Sequence, residues 1–187
     1  MIFRPLKADE IECRIGSVGA KGFTMLLYKD ARCDMNILDE TVGEFNWQRD
    51  HKEIKGTIYC GVGIFHGSIE QIGQGVNPWV WKWDAGSESY TEKEKGEASD
   101  AFKRAGFRWG IGIELYNAPR IYAPVATDKV GDYKYKLHNS RDMSGLFVSY
   151  IKTEDGKVTA LDIAQRAGRA TPKVIWSTDK RKEGMTI

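Results

Sequence analysis

Apolar residues follow two different periods along this chain. Between Asp30 and Gly43, the positions Cys33, Ile37, Leu38 and Val42 recur at helical spacing, which predicts a helix of about three turns capped by Asp30 and stopped by Gly43. A longer helix is expected from about Thr91 to Trp109, where Ala98, Ala101, Phe102, Ala105 and Trp109 line one face. Between these helices the period drops to two. Ile54, Gly56, Ile58, Cys60, Val62 and Ile64 alternate with more polar residues, and Trp79, Trp81 and Trp83 alternate with Val80 and Lys82, which predicts two neighbouring antiparallel strands. The tryptophan row is expected to be core, covered by the alanine-rich helix, with the stacking of nucleobases as the alternative reading.

Residues 6–14 suggest a short helix, and 22–29, 120–126 and 133–137 suggest strands; Asp155-Gly156 signals a hairpin within 146–163. This order predicts an α+β fold in which a mainly antiparallel sheet packs on a long helix. The expected division is a core domain over residues 1–126 and a basic C-terminal extension with a β-hairpin over 127–187.

Composition narrows the class. The chain has 187 residues and a net charge of +2, with 29% charged residues, as expected of a soluble globular protein. No segment approaches the roughly 20 apolar residues of a membrane span, so a cytoplasmic location without membrane partners is expected. Cys13, Cys33 and Cys60 are too few and too scattered for a disulfide framework or zinc site. Charge is uneven: residues 129–187 hold 12 Lys and Arg against 7 Asp and Glu. That excess points weakly to a polyanion.

The candidate chemistry lies in "EKEKGEASDAFKRAGFRWGIG", residues 92–112. Lys103 and Arg104 flank the apolar stripe on opposite sides, with Ser99 one turn before Lys103. Asp100 stands four residues before Arg104, the spacing of a surface ion pair. Phe107 points away from the stripe, as a residue awaiting a partner would. Elsewhere the chemistry is thin: "GVGIFHG" does not fit a dinucleotide-binding turn and no phosphate-binding loop of the G-x-x-x-x-G-K-[ST] type occurs, so ATP-driven action and other cofactors are not expected. His51, His66 and His138 are isolated. Asp84, Glu88 and Glu92 form the one acidic cluster that would suit a metal-dependent nuclease.

Three blocks carry a family resemblance. "KGEASDAFKRAGFRWGIG" resembles the signature helix of the Sak-type phage single-strand annealing proteins, prophage relatives of the eukaryotic Rad-fifty-two recombination and repair protein; "YKDARCDMNILDETVGEFNWQ" is similar to that family's N-terminal helix, and "WVWKWDAG" to its Trp-Lys-Trp-Asp strand. The resemblance implies a β-β-β-α core assembled into an oligomeric ring that holds single-stranded DNA in a cationic groove. It implies no catalytic activity and no metal, and as further partners a single-strand-binding protein or a phage exonuclease. Carried over by position, Lys103, Arg104, Ser99 and Arg32 match residues of the inner DNA site; Lys82 and Arg108 join them by charge and position. The family's outer-site lysines are replaced here by Asp84, Glu88 and Glu92, which leaves Lys180, Arg181 and Lys182 as the alternative source of a second site. Two rival functions stand beside annealing: a single-strand DNA or RNA coat that does not anneal, and a small metal-dependent nuclease.

Overall fold

The computed structural model describes residues 2–87, 93–138 and 143–187. Two compact units make up the chain, one from residues 1–4 and 30–112, the other from 5–29 and 113–187.

In the first unit, α1 (Ala31–Val42) begins where the Asp30 carboxylate accepts the Cys33 N–H at 2.9 Å and ends at Gly43, whose φ of 87° favours glycine. A three-stranded antiparallel sheet follows, β3 (Trp47–Ile54), β4 (Thr57–Phe65) and β5 (Trp79–Ala85), in spatial order β3-β4-β5, with the short α2 (Ile69–Gly73) between the last two strands. Then comes α3 (Lys93–Trp109). Strand alternation gives β4 two different faces. Cys60, Val62 and Ile64 are almost fully buried and receive Ala101, Phe102 and Ala105 of α3. Phe102 lies between the Trp47 ring, 6.2 Å away, and the Arg49 guanidinium, and Trp109 Nε1 donates to the Val62 carbonyl.

The opposite face of β4 carries Gly61 and Gly63, paired across the ladder with Trp83 and Trp81. A Cβ at Gly61 would lie 2.4 Å from the Trp83 ring, and one at Gly63 2.7 Å from that of Trp81. The indoles therefore lie flat on the β4 backbone, which only glycine permits. The tryptophan row is thus not core beneath α3; it occupies the other face, because the odd-numbered positions of β5 point away from the helix that Lys82 and Asp84 face.

The second unit is built from strands at both ends of the sequence. β1 (Ile11–Gly19) and β2 (Gly22–Lys29) join β6 (Ile121–Pro124), β9 (Leu146–Glu154), β10 (Lys157–Gln165) and β11 (Lys173–Ser177) in the order β11-β10-β9-β1-β2-β6. The edge strands β11 and β6 meet, so the sheet is nearly closed. Register shifts in β1 and β10 help it curl. Its core holds Phe23, Met25, Val148, Leu161, Ile163 and Trp176. A separate hairpin, β7 (Thr127–Gly131) with β8 (Lys134–Leu137), completes the unit, and residue 126, the boundary expected from the sequence, lies between β6 and β7.

The expectation of an α+β fold, with one mainly antiparallel sheet packed on a long helix, is overturned. Strand makes up 45% of the chain and helix 23%, and the largest assembly is the barrel-like six-stranded sheet. Two misread stretches explain the error. Residues 6–14 form no α-helix: a 3-10 turn at Ala8–Glu10 leads into β1, whose Ile11, Cys13 and Ile15 alternate at period two. The C-terminal strands looked like an appendage because the pairing of β9 with β1 joins residues far apart in sequence.

Since the Trp83 ring fills the space over Gly61, Gly61→Ala should destabilise the protein by about 1–3 kcal/mol in chemical denaturation. Gly73→Ala, at an open position of α2, should be close to neutral. Equal effects of the two substitutions would refute the flat-ring packing.

Candidate nucleic-acid interface

All six candidate residues belong to the first unit. Three converge at the C-terminal half of α3. Arg104 and Arg108, one helical turn apart, both reach Asp84 on β5: Arg104 Nε is 3.5 Å from Oδ1 and Arg108 Nε is 2.9 Å from Oδ2. Lys82, two residues before Asp84 on the same strand face, donates from Nζ to the Arg108 carbonyl at 2.9 Å and sits 4.3 Å from the centre of the Trp109 ring. It thereby satisfies an open carbonyl at the helix end, where a cation is favoured.

The expected Asp100–Arg104 pair does not form. Asp100 instead accepts from the backbone N–H and hydroxyl of Ser87, at 3.0 and 2.8 Å, and Arg104 is left to share Asp84 with Arg108. Two guanidinium groups on one carboxylate leave a net positive charge. Burial by itself pushes the Asp84 carboxyl up. The hydrogen bonds from Arg108 and the Ala85 N–H, with the charges of Arg104 and Arg108, outweigh that effect and hold it below its ordinary value.

Lys103 and Ser99 lie one turn apart on the flank of α3, both half-buried. Lys103 has no ion-pair partner among the described residues. Gly106, three residues after Lys103, is buried. Arg32 stands apart from the other five in the first turn of α1: it is 83% exposed and 3.4 Å from Asp30, the carboxylate that caps the helix. Phe107 is half-buried.

Asp84, the one described member of the nuclease cluster, has both carboxylate oxygens engaged by arginines; Glu88 and Glu92 lie outside the described residues. No group of three or more His, Cys, Asp or Glu among the described residues could hold a metal ion. The C-terminal cations are also committed. Lys180 pairs with Glu183, Arg181 with Asp179 and Lys182 with the largely buried Asp162, and the hydrogen bond from the Arg181 side chain leads the effects that pull the Asp179 carboxyl down to about 2. These residues form a folded 3-10 turn, Lys180–Lys182, in which each cation has its own carboxylate. All three cysteines are buried, and burial pushes the Cys13 thiol up to about 12 and the Cys60 thiol to about 11, so neither is a ready nucleophile. No helix among the described residues is long and apolar enough to cross a membrane.

Sequence reasoning missed Asp84 as the organiser of the cations. The signal was present: Lys82 and Asp84 share a strand face, and Arg104 and Arg108 share a helix face.

The Asp84 arrangement predicts a pH dependence. A carboxyl held below its unfolded value contributes stability that is complete above the ordinary carboxylate range and disappears as pH falls through the folded value. In NMR titrations the Asp84 midpoint should lie below that of an unstructured aspartate and rise in Arg108→Ala. A midpoint indifferent to that substitution would show that the arginine does not hold the carboxylate.

Comparison with family models, with curated proteins and with solved structures finds no match to this chain, so the family resemblance rests on the three sequence blocks alone.

Proposed function

We propose that this protein binds single-stranded DNA and anneals complementary strands without ATP, in phage-type homologous recombination and double-strand break repair. The observation that carries the reading is the charge imbalance on α3. Arg104 and Arg108 share a single carboxylate, and Lys103 has no ion-pair partner among the described residues. A surface helix built only for solvation would be expected to match its charges more closely, as the 3-10 turn at Lys180–Lys182 does.

Lys and Arg on phosphates hold a strand without reading its sequence, which leaves the pairing edges of the bases free. The guanidinium planes of Arg104 and Arg108, already oriented by Asp84, suit the tetrahedral oxygens of a phosphodiester. Arg32 and Ser99 are secondary contacts in this reading. Lys82 acts mainly by holding the end of α3, since its ammonium is engaged by the Arg108 carbonyl. A single copy offers few phosphate contacts, so useful affinity calls for several copies along one strand in a closed homo-oligomer. A host single-strand-binding protein or phage exonuclease would act upstream of this step.

Annealing of two labelled complementary strands, followed in EDTA without nucleotide, tests the reading. The protein should accelerate pairing several-fold over strands alone; binding without acceleration would make it a coat, and cleavage on adding Mg²⁺ would make it a nuclease. Lys103→Ala and Arg104→Ala should each weaken binding to all sequences alike and reduce the slope of log affinity against log salt by about one. A loss confined to particular sequences would contradict phosphate gripping.

A further inference from the structure

Trp79, Trp81 and Trp83 form a paved strip on the sheet face turned away from α3. Trp81 and Trp83 have ring centroids 5.8 Å apart and planes inclined by 25°; Trp79 and Trp81 are 6.5 Å apart at 38°. With Trp81 and Trp83 lying flat over Gly63 and Gly61, these distances describe rings laid side by side rather than stacked face to face. The glycines are thus the floor of the strip, which accounts for the "GVG" of β4 that fits no nucleotide motif.

The strip is bounded at both ends. Phe65 stands edge-on to Trp79, with centroids 5.6 Å apart and planes at 74°. Lys52 reaches across from β3 and places Nζ 4.4 Å from the centre of Trp83, the geometry of a cation–π contact, while the same ammonium stands 3.7 Å from the Asp50 carboxylate of its own strand. Lys55 is exposed at the β3–β4 turn next in the chain.

We propose that this strip is a base-stacking site for single-stranded nucleic acid, with unstacked bases on Trp79 and Trp81 and the adjoining phosphate at Lys52. It rests on the single-strand-binding reading and deepens it, adding a contact to the bases where α3 supplies contacts to phosphate. Two features favour this occupant. Ring spacing is nearly twice the rise of about 3.4 Å per nucleotide in a stacked strand, so it suits an extended strand with one base per ring. Lys52 and the exposed Lys55, set against the Asp50 carboxylate, leave the end of the strip net positive, which complements the anion that each nucleotide carries beside its base, whereas a neutral glycan or proline-rich peptide gains nothing from it. Stacking on an indole also leaves the Watson–Crick edges open and tolerates any sequence.

The test compares an oligo-dT with an abasic oligonucleotide of equal length, by binding isotherms and by the protein's tryptophan fluorescence. Wild-type protein should bind oligo-dT about 5- to 100-fold more tightly than the abasic strand, with quenching by oligo-dT. Trp81→Ala should cut that preference several-fold and leave abasic binding unchanged, the stack on Trp79 keeping the remainder; Trp81→Phe, which keeps a ring on the same glycine, should retain most of it. Equal affinity of wild-type protein for the two strands would overturn the stacking site while leaving the α3 reading intact, as would quenching by a cello-oligosaccharide or proline-rich peptide but not by oligo-dT. If wild-type protein binds neither strand, both readings fail.

Discussion

Strand β4 sets the layout of the first unit through its strict alternation. Its even positions, Cys60, Val62 and Ile64, are sealed against α3, and its odd positions, Gly61 and Gly63, are bare so that two indoles can lie on them. Neither face could exchange roles with the other. A one-residue slip in register would set the glycines beneath the helix, where they would leave voids, and drive the branched side chains into the tryptophan rings. Because the sealed face fixes where α3 lies, it also fixes which of the helix's side chains point outward.

That placement turns an ordinary amphipathic helix into a charge-bearing one. Phe102 and Ala105 are held down, so the adjacent Lys103 and Arg104 emerge on the two flanks. Asp84 comes up from β5 beneath Arg104 and Arg108 and meets both. The result is ordered but unneutralised positive charge. The C-terminal turn of the second unit provides an internal contrast, since Lys180, Arg181 and Lys182 are as densely cationic in sequence but are matched one to one by Glu183, Asp179 and Asp162. Density of basic residues in the sequence therefore does not distinguish the two segments. Their carboxylate partners do.

Much of the local structure could be read from the sequence because it is locally encoded. The Asp30 cap and Gly43 stop delimit α1, the Asp155-Gly156 turn joins β9 to β10, and the pairing of β4 with β5 follows from two period-two runs. What could not be read is non-local or disguised. The register that brings Asp84 rather than Asp100 to Arg104 depends on how α3 seats on the sheet. β3 is so polar, Trp47 through Lys52 with a single large apolar residue, that it shows no alternation to find. The six-stranded sheet draws on both ends of the chain, and nothing in either end alone announces the pairing of β1 with β9. The period-two row suggested a tryptophan core beneath the alanine-rich helix. Only the pairing of each indole with a glycine shows that the row lies on the face away from α3.

The central claim is that the cations of α3 hold a strand by its phosphates. It is tested most directly by comparing binding of a phosphodiester oligonucleotide with that of a methylphosphonate oligonucleotide of identical sequence, whose backbone is neutral. The account predicts strong, salt-sensitive binding of the first, with the Lys103 and Arg104 side-chain NMR signals shifting, and a collapse of affinity for the second. Comparable affinity for both strands, with those two signals unmoved, would contradict it.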